Sequence, residues 1–168
     1  MHNRALRIMG IDGQYIPVLV EDLPGAVEAV RALNIRGVSV TIPFKETVVP
    51  LLDEIDDDAR RIGSVNTILN EEGKLRGFNT DWQGIEADLN KKMPPKGKSF
   101  VLLGSGGTTR AALYAVKKNG GEAVIVSRNQ HTGEALAVEF GSRWVAMSQI
   151  GHVTGDCLIN TTPVGMTP

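Results

Sequence analysis

Residues 99–110 read Ser-Phe-Val-Leu-Leu-Gly-Ser-Gly-Gly-Thr-Thr-Arg. The apolar run from Ser99 to Leu103 predicts a buried strand, and it leads directly into a glycine-rich turn. An alanine-rich helical segment to Lys118 and a second apolar strand, Ala123 to Val126, follow the turn. This order predicts a βαβ unit with a glycine-rich first turn, which is typical of dinucleotide-binding folds.

The glycine-rich turn predicts a phosphate site. Glycines let the backbone turn sharply and approach a pyrophosphate, whose charge is met by the amides and the dipole of the following helix. A cation such as Arg110 in the first turn of that helix is favourable when an anion is bound nearby. The pattern is weak by itself, because Thr109 stands where glycine or alanine is usual, and the alternative is a merely tight βα turn. The predicted cofactor contacts are Gly104, Ser105, Gly106, Gly107 and Thr108.

The second predicted strand ends in Ser127-Arg128-Asn129, which bears on the kind of dinucleotide. An NAD site usually has Asp or Glu at this point for the ribose hydroxyls, whereas an arginine suits a 2′-phosphate. Arg128 therefore favours NADP over NAD. The alternative is a solvated arginine in a loop.

Lys45 and Asp81 are the candidate acid–base pair. Pro43 is suited to a helix start, and the apolar spacing that follows predicts a helix over Phe44–Leu52 with Lys45 in its first turn. The positive end of a helix disfavours an ammonium ion, which would help Lys45 to transfer a proton.

Asp81 is predicted to begin a second helix, with Thr80 as its N-cap and Gln83 completing a capping box. The positive helix end favours an aspartate there, and Asp81 could hold or polarise a lysine. An ordinary surface lysine and an ordinary first-turn aspartate are the alternative, since both residue types are common at such places.

Helical and strand patterns alternate along the chain, so we predict an α/β fold in which helices cover sheets. The segment rich in proline, glycine and lysine at Lys92–Gly97 is the strongest linker signal and divides the chain into domains 1–92 and 93–168. The first is predicted to have a mixed sheet, and the second to be a Rossmann-like doubly wound domain. Other predicted elements are strand Tyr15–Val20, helix Leu23–Leu33, strand Gly37–Ile42, helix Asp57–Ile62 and a hairpin of Ser64–Leu69 with Lys74–Phe78.

Composition narrows the functional class. The 168 residues carry a net charge of −1, which gives no electrostatic basis for binding nucleic acid or an anionic membrane.

The single Cys157 excludes an internal disulfide and reads as a buried strand residue, and no apolar run is long enough to span a membrane. With no signal-peptide pattern, a cytoplasmic location is expected. No residue cluster predicts a metal site, and the three histidines lack a partner for catalysis.

Five runs together resemble the shikimate dehydrogenase family, and they occur in the family's order. They are Val38–Lys45, Gly63–Thr67, Gly77–Gly84, Gly104–Ala111 and Asn160–Met166. The resemblance covers nearly the whole chain and implies NADP-dependent, reversible reduction of 3-dehydroshikimate to shikimate, in aromatic amino acid biosynthesis. It also implies a small-molecule substrate, an active site between two domains and a monomer or homodimer.

The resemblance implies roles for individual residues. Lys45 and Asp81 would be the catalytic pair, and Thr41 and Asn66 would join them in binding the substrate hydroxyls. The glycine-rich turn and Arg128 would hold NADP. So would the loop from Asn160 to Met166, including Thr161, with Met166 near the nicotinamide.

The chain also departs from the family pattern. It lacks the family's opening strand and serine-containing loop and stops before the family's last segments, so it is expected to be truncated at both ends. The family's second basic residue after Arg128 is missing as well. Two alternatives therefore stay open, an NAD-dependent quinate/shikimate dehydrogenase and a non-catalytic remnant or binding module.

Overall fold

The computed structural model describes residues 1–165, which form six α-helices and eight strands within that range. The elements before residue 93 are α1 His2–Ile8, α2 Leu23–Ala32, β1 Gly37–Ser39, β2 Glu54–Ile55, α3 Asp57–Ile62, β3 Thr67–Glu71, β4 Lys74–Phe78 and α4 Asp81–Lys92. The later elements are β5 Ser99–Leu103, α5 Gly107–Lys118, β6 Glu122–Ser127, α6 Gln130–Glu139, β7 Arg143–Ala146 and β8 Cys157–Asn160. Short 3₁₀ helices span Val49–Leu51 and Met147–His152.

The first sheet is mixed, as predicted, with strand order β1-β3-β4-β2. Strands β1, β3 and β4 are antiparallel neighbours, whereas β2 lies parallel to β4. The predicted hairpin is confirmed: Glu72 and Gly73 both have positive φ in its turn, the conformation that a tight two-residue hairpin turn requires. Asn66 directly precedes β3 and Asp81 follows β4, so both lie at the end of the hairpin away from this turn.

The core of the first sheet lies between the sheet and α2. Asp22 caps this helix by accepting a hydrogen bond from the Gly25 amide, and the apolar face of the helix buries Val27 and Val30. They pack in one cluster with the buried strand residues Ile68 and Leu75. Burial of such side chains is worth about 1.5–3 kcal/mol each, which anchors the sheet that positions the site.

The second sheet is entirely parallel, with strand order β7-β6-β5-β8. The chain moves from β5 outward to β7 and then crosses back to place β8 on the other side of β5. Ligands of such sheets bind where the strand order reverses, beyond the carboxyl ends of the strands. The Rossmann-like arrangement is thus confirmed, and its switch point lies between β5 and β8.

Helix α4 packs against the second sheet's helices although it precedes the predicted linker. Ile85 and Leu89 lie against the core built on Phe100 and Leu113, and Trp82 stacks edge-on with Tyr114 of α5 at 5.4 Å. The apolar side chains of α4 are thus buried against the helices of the second sheet. The domain boundary at residue 92 stays a prediction, and its linker lies in the irregular segment that separates α4 from β5.

The predicted strand Tyr15–Val20 is wrong. The segment has no regular structure, and Val18 and Leu19 expose 71% and 89% of their surface. Its local contacts are instead with α1, where Asn3 exchanges two hydrogen bonds with Tyr15. A strand requires a neighbour for its backbone groups, and β1 and β2 are the edges of the first sheet among residues 1–165.

The predicted helix Phe44–Leu52 is also wrong. Only one α-type hydrogen bond forms, from the Val48 amide to the Phe44 carbonyl, before the chain tightens into the 3₁₀ turn Val49–Leu51. Pro50 has no amide hydrogen to continue the α-helical pattern, and the preceding β-branched residues disfavour a helix. The proposed effect of a helix dipole on Lys45 therefore has no structural basis.

Candidate active site

The glycine-rich turn follows β5 at the switch point of the second sheet. Gly104 has φ +125, and a Cβ there would lie 2.7 Å from Thr161 Oγ1 and 2.9 Å from Thr109 Oγ1. Gly106 is the N-cap of α5, and no side chain caps this helix. A Cβ at Gly106 would meet only Glu46 Oε1, at 3.9 Å, so the turn offers free amides beside open space.

A cleft of about 380 Å³ opens at this turn. It is lined on one side by Lys45 and Glu46 of the first region and on the other by the predicted glycine-rich turn, Arg128 and Thr161. The end of β6 and the loop after β8 thus meet the first sheet's loop around one cavity. This combination of free amides, an exposed arginine and a crevice suits a dinucleotide carrying an extra phosphate.

Lys45 and Asp81 lie together, 36 residues apart in sequence. Lys45 Nζ is 2.7 Å from Asp81 Oδ2, and the two side chains expose only 15% and 28% of their surface. Lys45 is placed by its backbone carbonyl, which accepts from the Val65 amide, while Asp81 occupies the first turn of α4. A charge-assisted bond of this length fixes the ammonium group in a half-buried site.

Asn66 completes this group. Its Nδ2 donates to Asp81 Oδ1 at 2.8 Å, and its Oδ1 accepts from the Thr80 amide at 2.9 Å. Both oxygens of Asp81 thus receive hydrogen bonds, one from Asn66 and one from Lys45. The predicted residues Lys45, Asn66 and Asp81 therefore form one connected cluster.

The capping box predicted at Thr80 and Gln83 does not form. Thr80 makes no side-chain capping bond, because its hydroxyl accepts from Asn66 Nδ2 at 3.0 Å. Asn79 replaces it: its Oδ1 accepts from the Asp81 amide at 3.1 Å. Asn bonding to a backbone amide two residues on is a common turn device, which makes Asn79 the residue that starts α4.

Arg110, whose position at the helix start favours an anion bound nearby, makes its contacts with protein groups. Its guanidinium donates to Glu139 and to the Ile62 carbonyl, and its Nε lies 3.3 Å from Glu46 Oε2. Burial acts to lower the pKa of Arg110, but the bonds and charges of Glu139 and Glu46 outweigh it, so the pKa is raised above the ordinary value. Gly63 permits this approach, since a Cβ there would lie 2.7 Å from Arg110 Nη1.

The remaining predicted residues lie in different places. Thr41 is exposed and does not line the cleft, and Asn160 bonds within its own loop, to Thr162 and Val164. The Thr161 hydroxyl lies at the cleft but bonds to the Leu103 carbonyl and to Thr109. Met166 lies outside the described residues.

Three residues at the site were missed by sequence reasoning. Glu46 lines the cleft, and Ser64 and Asn79 are buried between the acid–base cluster and the glycine-rich turn. Ser64 and Asn79 lie in the family-like runs Gly63–Thr67 and Gly77–Gly84. A polar residue in a strand or turn, however, gives no signal of its tertiary partner. Within residues 1–165, no group of three or more metal-ligating side chains is arranged for an ion, and no helix is long and apolar enough to cross a membrane.

The fold and this site define a class: an α/β protein with a Rossmann-like parallel sheet, a separate mixed sheet, and a lysine–aspartate pair whose lysine lines the cleft. Comparison with known proteins narrows the class. Residues 1–68 match the family model described as the shikimate dehydrogenase substrate binding domain. The chain is 41% identical to the shikimate dehydrogenase (NADP⁺) of Pyrococcus abyssi, over 99% of the chain and 63% of that protein.

Solved structures agree. The shikimate dehydrogenase of Aquifex aeolicus superposes with a TM-score of 0.88 at 37% identity, covering 99% of this chain and 64% of the other. The shikimate 5-dehydrogenase of Thermus thermophilus, solved with NADP(H) and shikimate, gives 0.83 at 38% identity, covering 98% and 63%. Over nearly its whole length the chain is similar to shikimate dehydrogenases, the family that its five motifs resemble, and it spans a little under two thirds of the relatives' length.

Proposed function

We propose that the protein is an NADP-dependent oxidoreductase that reversibly reduces 3-dehydroshikimate to shikimate, a step of aromatic amino acid biosynthesis. The observation that carries this proposal is the Lys45–Asp81 pair, 2.7 Å apart, whose lysine lines the cleft at the glycine-rich turn. Lys45 links the pair to the glycine-rich turn, because a Cβ on Gly107 of the turn would lie 3.1 Å from Lys45 Cβ. The relatives named above support the substrate and the cofactor.

The cleft fits NADP. Open space at Gly106 and the uncapped start of α5 suit the pyrophosphate, and the exposed Arg128 at the end of β6 suits a 2′-phosphate. Gly104, Ser105, Gly107, Thr108 and Thr161 line the same cleft, and Asn160 shapes the loop that carries Thr161. When bound, NADPH supplies the hydride that reduces the ketone carbon.

Lys45 handles the proton. As the carbonyl oxygen of the substrate gains negative charge, the Lys45 ammonium stabilises it and donates the proton that completes the hydroxyl. In the reverse direction the neutral amine accepts that proton. Asp81 holds Lys45 in position, Asn66 in turn holds Asp81, and both provide polar groups for neighbouring substrate hydroxyls, a role that we also propose for the exposed Thr41.

NADP is favoured over NAD because Arg128 lines the cleft, while its lack of a second basic neighbour keeps an NAD-dependent quinate/shikimate dehydrogenase as the alternative. A non-catalytic binding module stays the alternative outside enzymes. A cytoplasmic location and a monomeric or homodimeric state stay predictions.

The test is the absorbance change at the nicotinamide band when purified protein is mixed with shikimate and NADP, with quinate and NAD run in parallel. Turnover that the Lys45→Ala variant loses supports the proposal. Turnover only with NAD contradicts the cofactor assignment. A folded protein that binds NADP without turnover contradicts the enzymatic proposal and favours the binding module.

A further inference from the structure

A chain of buried hydrogen bonds joins Asp81 to the glycine-rich turn. Asn79 Oδ1 accepts from the Asp81 amide, and Asn79 Nδ2 donates to Ser64 twice, to its carbonyl at 3.0 Å and to its hydroxyl at 2.9 Å. The Ser64 hydroxyl in turn donates to the Gly107 carbonyl at 3.4 Å. Asn79 and Ser64 thus connect the acid–base cluster with the first residue of α5.

The side chains of Asn79 and Ser64 can fix the distance between the acid–base cluster and the glycine-rich turn. Ser64 is fully buried and Asn79 exposes 3% of its surface, so water has little access to the two bonds between them. Asn79 Oδ1 accepts from Asp81 while Asn79 Nδ2 donates to Ser64, so only one orientation of the side chain satisfies both partners. A displaced Asn79 would leave buried polar groups unsatisfied, and this penalty resists displacement.

The backbone near the chain of bonds is tightly packed as well. A Cβ on Gly107 would lie 3.4 Å from Ser64 Cβ and 3.1 Å from Lys45 Cβ, so the turn, Ser64 and Lys45 are in mutual contact. The amide that follows Ser64, that of Val65, donates to the Lys45 carbonyl at 2.7 Å. Ser64 therefore lies beside Lys45 and, through Asn79, is linked to Asp81.

We propose that Asn79 and Ser64 are positioning residues, which hold the Lys45–Asp81 pair at a fixed distance from the glycine-rich turn. They touch neither substrate nor cofactor in this role and act through Asp81 and Gly107. The inference rests on the proposed function, since it assigns them to the geometry of proton and hydride transfer. A misplacement of about 1 Å at such a site lowers turnover by up to about a hundredfold.

Asn70 provides a matched control. It is also a buried asparagine, 9% exposed, that donates to a backbone carbonyl, that of Val30, and accepts from a backbone amide, that of Gly73. It lies in the β3–β4 hairpin and bonds to neither Lys45 nor Asp81. Asn70→Ala therefore reports the general effect of losing a buried amide.

The experiment compares Asn79→Ala, Ser64→Ala and Asn70→Ala with the wild-type protein. The readouts are kcat and KM for shikimate and the NMR signal of the Lys45 ε-methylene in lysine-labelled protein, assigned with Lys45→Ala. We expect Asn79→Ala to lower kcat by roughly tenfold to a hundredfold with little change in KM, and to shift the Lys45 signal. Ser64→Ala should act in the same direction but less, and Asn70→Ala should change neither readout.

An unshifted Lys45 signal in a folded Asn79→Ala protein, or an equal shift in Asn70→Ala, overturns the inference. If Asn79→Ala does not fold, Ser64→Ala decides by the same two readouts. Absence of turnover in the wild-type protein contradicts the proposed function alone, because the Lys45 signal requires no substrate and still decides whether Asn79 positions the pair.

Discussion

Arg110 Nε lies 3.3 Å from Glu46 Oε2, so a cation of α5 neutralises an acid that faces the cofactor cleft. Glu46 Oε1 is also the nearest atom, at 3.9 Å, to the position that a Cβ on Gly106 would occupy. An uncompensated carboxylate there would repel a pyrophosphate. The pair therefore makes the cleft acceptable to an anionic ligand.

Removal of this compensation is expected to weaken NADP binding. Arg110→Ala should raise the Kd for NADP about tenfold, the effect of one like charge a few ångströms away in a partly solvated site. Fluorescence titration with NADPH measures it. The double variant Arg110→Ala/Glu46→Gln should recover most of the affinity, because it removes the repelling charge too. A double variant as weak as the single one would show that Arg110 acts by packing rather than by charge.

Asp81→Asn is expected to abolish most of the turnover while leaving the fold and the cofactor site intact. The substitution keeps the shape of the side chain but removes the charge that holds Lys45 Nζ. Proton transfer by a positioned group is worth about 10²–10⁴-fold, so kcat should fall by that order. Because Asp81 does not line the cleft, the Kd for NADP should hardly change.

Asp88→Asn is the control for that variant, since Asp88 is an exposed acid on the same helix. It should leave both kcat and the NADP affinity unchanged. An Asp81→Asn protein that retains most of the wild-type rate would refute the assignment of Asp81 to the acid–base pair.

Gly104→Ala, in the glycine-rich turn, is expected to lower the stability of the protein strongly. Its φ of +125 strains any side chain, and the new methyl group would meet Thr161 and Thr109 at less than van der Waals distance. Strain and overpacking each cost about 1–3 kcal/mol, so the free energy of unfolding should fall by about 2–6 kcal/mol in chemical denaturation.

Gly73→Ala separates the two causes. Gly73 also has positive φ, +92, but a Cβ there would meet no atom within 4 Å. Its loss of stability should reflect backbone strain alone and be about 1–2 kcal/mol. Equal losses in the two variants would contradict the steric account of Gly104.

Arg128→Ala is expected to reduce the preference for NADP over NAD. The guanidinium lines the cleft at the end of β6, and charge-assisted hydrogen bonds to a phosphate are worth about 1.5–3 kcal/mol. The Kd for NADP should therefore rise about tenfold or more, whereas that for NAD should hardly change. Arg143→Ala, at an exposed arginine of β7 outside the cleft, is the control. An equal effect on both dinucleotides would place Arg128 at the pyrophosphate instead.

The first half of the second sheet could be predicted closely, because its first two strands are apolar runs. The predicted strand Ser99–Leu103 has the same bounds in the structure, and Ala123–Val126 lies within β6, whereas α6 and β7 were not predicted. The first sheet was harder, because its strands are short and mixed in direction. The run Gly37–Ile42 keeps strand geometry only to Ser39, since the chain then turns towards Lys45.

The residues of the site could be predicted from the sequence better than their arrangement. Lys45 and Asp81 do lie together, but Lys45 is placed by a turn rather than by a helix, since Pro50 interrupts the helical pattern. Arg110 was interpreted only through a nearby bound anion, and its pairing with Glu139 and Glu46 was not predicted. Such pairings join residues far apart in sequence, so local patterns hold no information on them.

Asp53 provides an expected pH dependence of stability. A hydrogen bond from Arg31, 2.5 Å from Nη1 to Oδ2, and a second from the Leu75 amide hold the pKa of Asp53 below its ordinary value. Because the folded-state pKa is the lower one, the contribution of Asp53 to stability is fully present above the unfolded pKa of about 4 and is lost as the pH falls through the folded pKa.

The free energy of unfolding should thus decrease with acidification below about pH 4, and less steeply in Asp53→Asn. Urea denaturation at several pH values between about 2 and 6 measures the slope, with Asp12→Asn, at an exposed acid without a salt bridge among residues 1–165, as the control. Identical slopes for the wild-type and Asp53→Asn proteins would mean that the Arg31–Asp53 contact does not persist in solution.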